Sequence, residues 1–309
     1  MKVDFPGLKS INDGLNLAYN TQFWAASTIY KTVSSEFTST GAEEVYPRLN
    51  MTKGLREFIG EREVNRLSLD TFRIRNKKFE ETIAISRDDV EDDKYGIFTP
   101  LAATMGMDAG QQPDLMISSL IKNGHTTLAA DGQNFFDTSH ENYNEDGSVG
   151  TLSNYQPAPE GYSGPSWYVF DTSKPLRPFI FQNRDPFQLV SKFALTDENV
   201  FWDDEFIWGI RGRCGAGYGL WQLAYRSDAP PTAANLVAAR TAMASWRRPN
   251  GTPMGVKSTL VMGPTALYPQ LRAYCNNEML PPADPAATGA FVGNDFKGLA
   301  EAIENPWLN

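Results

Sequence analysis

The chain has only two histidines, His125 and His140, so little of it could run acid–base or metal chemistry through imidazole. His140 stands beside Asp137, Ser139 and Glu141, a grouping that could hold a metal ion or form a catalytic dyad. A zinc site needs His or Cys at close, regular spacing, and neither HExxH nor paired CxxC occurs. The same residues are the ordinary makings of a polar turn, and a turn is the expected role. Asp88-Asp89-Val90-Glu91-Asp92-Asp93 offers enough oxygens for calcium. A calcium loop alternates its ligands around a central glycine, however, and here Val90 interrupts the run while Gly96 comes too late. Acids do favour a helix N-terminus, so a negatively charged helix start is expected. Gly209, Gly212, Gly215, Gly217 and Gly219 invite a phosphate-cradling reading. Neither GxxxxGK[ST] nor GxGxxG is present, and the strand-like Leu220-Trp221-Gln222-Leu223 follows where a helix should begin. A tight turn between strands is expected there. No GxSxG occurs, and no pair of carboxylates stands out for acid–base work. Catalytic, metal-binding and cofactor-binding residues are therefore expected to be absent, and a hydrolase built on His125 or His140 is the weakest reading.

The surrounding elements follow from periodicity. Leu15, Tyr19 and Phe23 recur at helical spacing in the first 37 residues, with Trp24, Tyr30 and Val33 nearby. A lone amphipathic helix there must lie on its own body or on a neighbouring subunit. About half of residues 53–94 are charged, with both signs interspersed, against roughly a quarter in an average globular chain. Yet Arg73-Ile74-Arg75 and Thr82-Ile83-Ala84-Ile85-Ser86 alternate as half-buried strands do. The spacing predicts a long two-stranded ribbon turning at Asn76-Lys77-Lys78. Either it is a solvated hairpin or its charges pair with a partner.

Residues 97–130 predict a helix broken or kinked at Gly106, Gly110 and Pro113, and Asn123-Gly124 stops it. Residues 131–166 predict a polar loop. Strands are expected through 167–226, followed by an Ala-rich helix over 233–248 that shows Leu236, Ala239, Met243 and Trp246 on one face. A buried strand at Thr259–Met262, a helix over Pro264–Tyr274 and a loop over 281–293 complete an α+β chain of two lobes.

Bulk properties narrow the function classes. The 309 residues are 41% hydrophobic and 12% aromatic, enough for a sizeable core. Mean hydropathy is −0.39, and no apolar run nears the roughly 20 residues of a membrane helix. The first residues carry charge and proline where a signal peptide needs an apolar stretch, so a cytoplasmic product is expected. The net charge of −9 opposes non-specific binding to duplex DNA. Cys214 and Cys275 are expected to be free core thiols.

Several long strings carry a resemblance. Gly54-Leu55-Arg56-Glu57-Phe58-Ile59-Gly60-Glu61-Arg62, Lys78-Phe79-Glu80-Glu81-Thr82, Ser86 to Gly96 and Asp131-Gly132-Gln133-Asn134-Phe135-Phe136-Asp137 resemble, in order, strings of the Mu-like prophage major head subunits. Lys174 to Gln182 and Gly217 to Ala224 continue the likeness. It implies the Hong Kong 97 phage capsid fold, with 1–37 as N-arm, 38–96 as E-loop, 97–130 as spine helix, 131–228 as peripheral domain and 229–309 as axial domain. It also implies a major capsid protein that forms pentamers and hexamers of an icosahedral head around double-stranded DNA. Scaffold-protease, portal and decoration proteins are the implied partners, and the virion, assembled in the host cytoplasm, the implied location. A nanocompartment shell of the encapsulin type shares this fold and is the alternative. No lysine–asparagine cross-link is expected. The ribbon and arm are expected to fold by touching sister copies. Arg56, Glu57, Glu61 and Arg62, with Arg87, Asp88 and Asp89, are the candidate inter-subunit charges.

Overall fold

The computed structural model describes residues 5–26, 28–47, 71–92, 96–280 and 292–309. Helix α1 (Phe5–Ala25) and the single turn α2 (Tyr30–Val33) lead into strands β1 (Ser34–Thr38), β2 (Glu43–Pro47), β3 (Thr71–Arg75) and β4 (Lys77–Ser86). Helix α3 (Arg87–Asp92) and the long α4 (Phe98–Asn123) follow, then strands β5 (His140–Tyr143), β6 (Val149–Leu152), β7 (Tyr155–Gln156) and β8 (Trp167–Phe170). Strand β9 (Phe179–Lys192), helix α5 (Glu198–Asp203) and strand β10 (Glu205–Tyr218) make a long hairpin. After a 3-10 turn come β11 (Ala224–Ser227), α6 (Ala233–Ala244), β12 (Leu260–Gly263), α7 (Tyr268–Asn276), β13 (Met279–Leu280), β14 (Val292–Gly293) and β15 (Glu301–Glu304).

Two sheets organise the molecule, in keeping with an α+β chain. One has the order β1-β9-β10-β4, the other β15-β12-β8-β11-β7. Strand β8 reads Trp-Tyr-Val-Phe and is buried along its whole length, as a central strand covered on both faces must be. Around it gathers the main core, in which Trp167, Phe170, Phe179, Ala239, Met243 and Met262 are almost fully buried.

Helix α1 packs along α4 of its own chain through Leu8, Leu15 and Tyr19. The expectation that the leading arm is folded by sister copies is therefore corrected. Its apolar stripe finds a partner inside the subunit. Helix α4 is one continuous piece, not two, despite its internal Pro113. Gly106 and Gly110 serve close approach: a Cβ on Gly106 would stand 2.2 Å from the Tyr19 carbonyl oxygen, and one on Gly110 2.7 Å from the Ala26 Cβ. Next to the proline, buried Asp114 accepts hydrogen bonds from the backbone N–H groups of Ile29 (2.8 Å) and Tyr30 (2.7 Å). It satisfies donors that α2 would otherwise leave orphaned.

The ribbon differs from its expected form in the same way. β3 and β4 run one after the other through Asn76 and do not pair with each other. β3 pairs with β2, whereas β4 pairs with β10 from Ser86↔Glu205 to Lys77↔Cys214. Asn76 is not a hairpin turn but a buried junction, donating to Ser39 Oγ (2.6 Å) and to the Gly41 carbonyl (3.0 Å). Gly209, Gly212, Gly215 and Gly217 are likewise not a turn. They lie inside β10, where a Cβ on Gly217 would meet Ile74 at 2.4 Å. The 131–166 segment is less irregular than expected, since it contributes the β5–β6 hairpin and strand β7.

Candidate self-assembly surface

The groups with chemical potential are locked into the structure. His140 is fully buried at the start of β5 and is no part of an exposed polar loop, so that expectation is corrected. Its Nδ1 lies 2.7 Å from Asp131 Oδ2 and its Nε2 lies 3.3 Å from the Phe135 carbonyl oxygen, while the ring stacks on Trp221. Its neighbours in sequence do not serve it. Asp137 accepts from the Ser139 N–H (3.1 Å), and Glu141 accepts from the Tyr143 hydroxyl. His125 Nδ1 faces Arg226 Nη1. Cys214 and Cys275 are unlinked, and burial pushes their thiols up to about 12 and about 11, which leaves them unreactive. Among the described residues no three His, Cys, Asp or Glu side chains gather as a metal ion would need.

The joint between α4 and the second sheet is a polar network. Arg226 clamps Asp228 with Nε at 2.8 Å and Nη2 at 3.2 Å, and its Nη1 donates to the Lys122 carbonyl at the end of α4 (3.1 Å). Asp228 also accepts from Tyr155 and Ser166 hydroxyls at 2.7 and 2.6 Å. Burial opposes ionisation of Asp228, but the Arg226, Ser166 and Tyr155 hydrogen bonds outweigh it and hold the carboxyl below its ordinary range. This is a structural strut, since each polar group is occupied by another.

Of the candidate interface charges, Arg56, Glu57, Glu61 and Arg62 lie outside the described residues. Arg87, Asp88 and Asp89 open α3, where the Ser86 hydroxyl accepts from the Asp89 N–H (3.1 Å) and caps the helix. Arg87 reaches Asp204 of its own chain at 3.8 Å, leaving Asp88 and Asp89 exposed. The most exposed large apolar groups are not among those charges. Trp24 and Leu17 face outward from α1, Val149 from β6, and Phe201 and Trp202 from α5. The sequence offered one signal for the second pair, two aromatics inside the acidic stretch from Asp197 to Glu205, which periodicity over so short a helix does not pick out.

Residues 8–308 match the family model described as Mu-like prophage major head subunit gpT. The chain is 34% identical over 285 residues to the major capsid protein of Escherichia phage Mu, spanning 92% of each. Among solved structures it resembles the procapsid of bacteriophage JBD30, with a TM-score of 0.82 and 32% identity over 99% of this chain and 100% of that one. It also resembles the JBD30 capsid decorated with minor capsid protein trimers, with a TM-score of 0.71 and 25% identity over 92% of each.

Proposed function

The chain belongs to the Mu-like prophage major head subunit family, and from that premise we propose that it builds pentamers and hexamers that close into an icosahedral head around double-stranded DNA. It is a major capsid protein with the Hong Kong 97 phage fold and is not an enzyme. The observation that carries this is the match along nearly the whole chain, joined to a fold superposable on a head precursor. Family membership favours a genome over an enzyme cargo as the contents of the shell.

Self-association fits the surface physics. Head-to-tail contacts that close generate rings. A single exposed ion pair contributes only about 0–1 kcal/mol, so strength must come from many copies and from buried apolar area. Arg56, Glu57, Glu61, Arg62, Arg87, Asp88 and Asp89 are the charges assigned to inter-subunit pairing. The segments 1–37, 38–96, 97–130, 131–228 and 229–309 are taken as N-arm, E-loop, spine helix, peripheral and axial domains. The negative net charge suits a wall from which packaged DNA can leave, with no sequence-specific binding. A scaffold-protease and a portal are the further partners, and assembly takes place in the host cytoplasm. Decoration proteins are also assigned, a role supported by the minor capsid protein trimers on the JBD30 capsid.

Negative-stain microscopy of the chain coexpressed with its scaffold is the test. Capsomer rings or closed icosahedral particles are expected. A protein that stays monomeric at high concentration would overturn the reading.

A further inference from the structure

A groove where α2 and α4 meet the end of the chain carries acid that nothing in the subunit answers. It measures about 490 Å³ and is lined by Thr28, Thr32, Gln111, Asp114, Glu304 and Trp307, among others. No lysine, arginine or histidine is among the described residues that line it. Asp114 is 2% exposed. Its Oδ1 takes both backbone N–H groups, those of Ile29 and Tyr30, and its Oδ2 has no partner among the described residues. Oδ1 faces the α2 backbone, so Oδ2 is the oxygen presented to the groove. A carboxylate oxygen so deeply placed ordinarily finds a hydrogen bond. Burial pushes this carboxyl up, against the pull of the two N–H groups and of Lys31.

Two cations stand close by, and both are turned elsewhere. Lys31 Nζ lies over the Tyr30 ring, 5.8 Å from its centroid, and Arg177 donates to the Thr32 carbonyl. Neither forms an ion pair with Asp114 or with half-buried Glu304, which has no such partner among the described residues. The Thr28 and Thr32 hydroxyls and the Gln111 amide are likewise free of hydrogen bonds among the described residues. Trp307, from the closing 3-10 turn Pro306–Leu308, supplies an aromatic wall and Ile303 an aliphatic one. A metal ion does not suit this lining, because no three His, Cys, Asp or Glu side chains gather among the described residues. An organic cation does. Its charge is met by two carboxylates, its N–H groups by free hydroxyl and amide oxygens, and its aliphatic stem by the apolar walls.

We propose that this groove binds an alkylammonium group, with Asp114 Oδ2 and Glu304 taking its charge and Trp307 flanking its stem. The same chemistry comes from two sources, a free aliphatic diamine or a lysine side chain presented by a neighbouring chain. In either case the occupant joins α2, near the start of the chain, to its last residues across α4. A charge buried there gives Asp114 the partner that the subunit withholds. The inference goes beyond the shell reading, because binding by the unassembled chain requires no shell.

Calorimetry of the unassembled full chain with cadaverine is the test, with pentanol as the uncharged control. Cadaverine carries the ammonium and stem of a lysine side chain, so it probes both sources. Saturable binding of cadaverine and none of pentanol is expected. Asp114→Asn keeps an oxygen for the Ile29 and Tyr30 N–H groups and should weaken binding about tenfold or more. Glu304→Gln, on the surface side of the groove, should weaken it by a smaller factor with an unchanged thermal midpoint. No saturable binding of cadaverine, equal binding of pentanol, or full affinity in both variants would overturn the proposal. The source is then read from assembled shells treated with a carbodiimide, which joins a carboxylate to an amine in contact with it. A Glu304 peptide linked to a lysine of another chain assigns the groove to a side chain, and cadaverine binding without that peptide assigns it to a free diamine. Failure of the chain to form shells would count against the shell reading and leave the calorimetric result standing.

Discussion

Arg226 ties several interior elements together at one point. Its guanidinium joins β11, the C-terminal carbonyl of Lys122 and the Asp228 carboxylate, and it lies near the rings of Tyr155 and Tyr168. Replacing it with alanine strands a carboxylate that is mostly buried. Arg226→Ala is expected to destabilise the subunit by about 3–5 kcal/mol in urea unfolding. Asp228, whose folded carboxyl titrates below its ordinary range, contributes stability that is fully present above the ordinary aspartate range and is lost as the pH falls from there through the lowered folded value. Urea melts between neutral and acid pH should therefore show a smaller acid-induced loss for Asp228→Asn than for the wild type. Reversing one proposed interface charge with Arg62→Glu should reduce head yield in electron micrographs. Unchanged yield would count against a central role for that side chain.

The α1–α4 pair shows how an element is held. α1 buries Leu8, Leu15 and Tyr19, and α4 brings glycines to the crossing so that the two backbones can touch. Gly106→Ala would drive a methyl group into the Tyr19 carbonyl, a clash with backbone that no rotamer change relieves. Overpacking of this kind costs about 1–3 kcal/mol. The loss should be local, seen as faster hydrogen exchange over residues 8–25 with little change over β8 and β12. The β9–β10 hairpin follows a different rule. Glycines inside β10 leave room for Ile74 and Phe187, so β3 and β9 side chains fill space that a larger residue would occupy.

Taken together, the described residues hold His140, both cysteines and the Arg226–Asp228 pair inside, while Trp24, Phe201 and Trp202 stand exposed. No covalent bond between copies is expected, so a denaturing gel of assembled heads should show a single monomer band; a ladder would contradict this. The α+β class, a helix expected over 233–248 and found over Ala233–Ala244, a buried strand expected over 259–262 and found over Leu260–Gly263, and the acidic start of α3 were legible in the sequence, because each reflects burial or charge along one element. The strings from Gly54 to Asp137 and from Lys174 to Ala224 also carried the family, since several long matches in order do not arise from composition. Partners across the chain were not legible. His140 finds Asp131 and Trp221 instead of Asp137 or Glu141, β4 finds β10 instead of β3, and α1 finds the glycines of α4. Periodicity records that a side chain is buried but not against what. The choice of neighbour depends on register and approach between segments distant in sequence, and those exist only once the sheets and helices have packed.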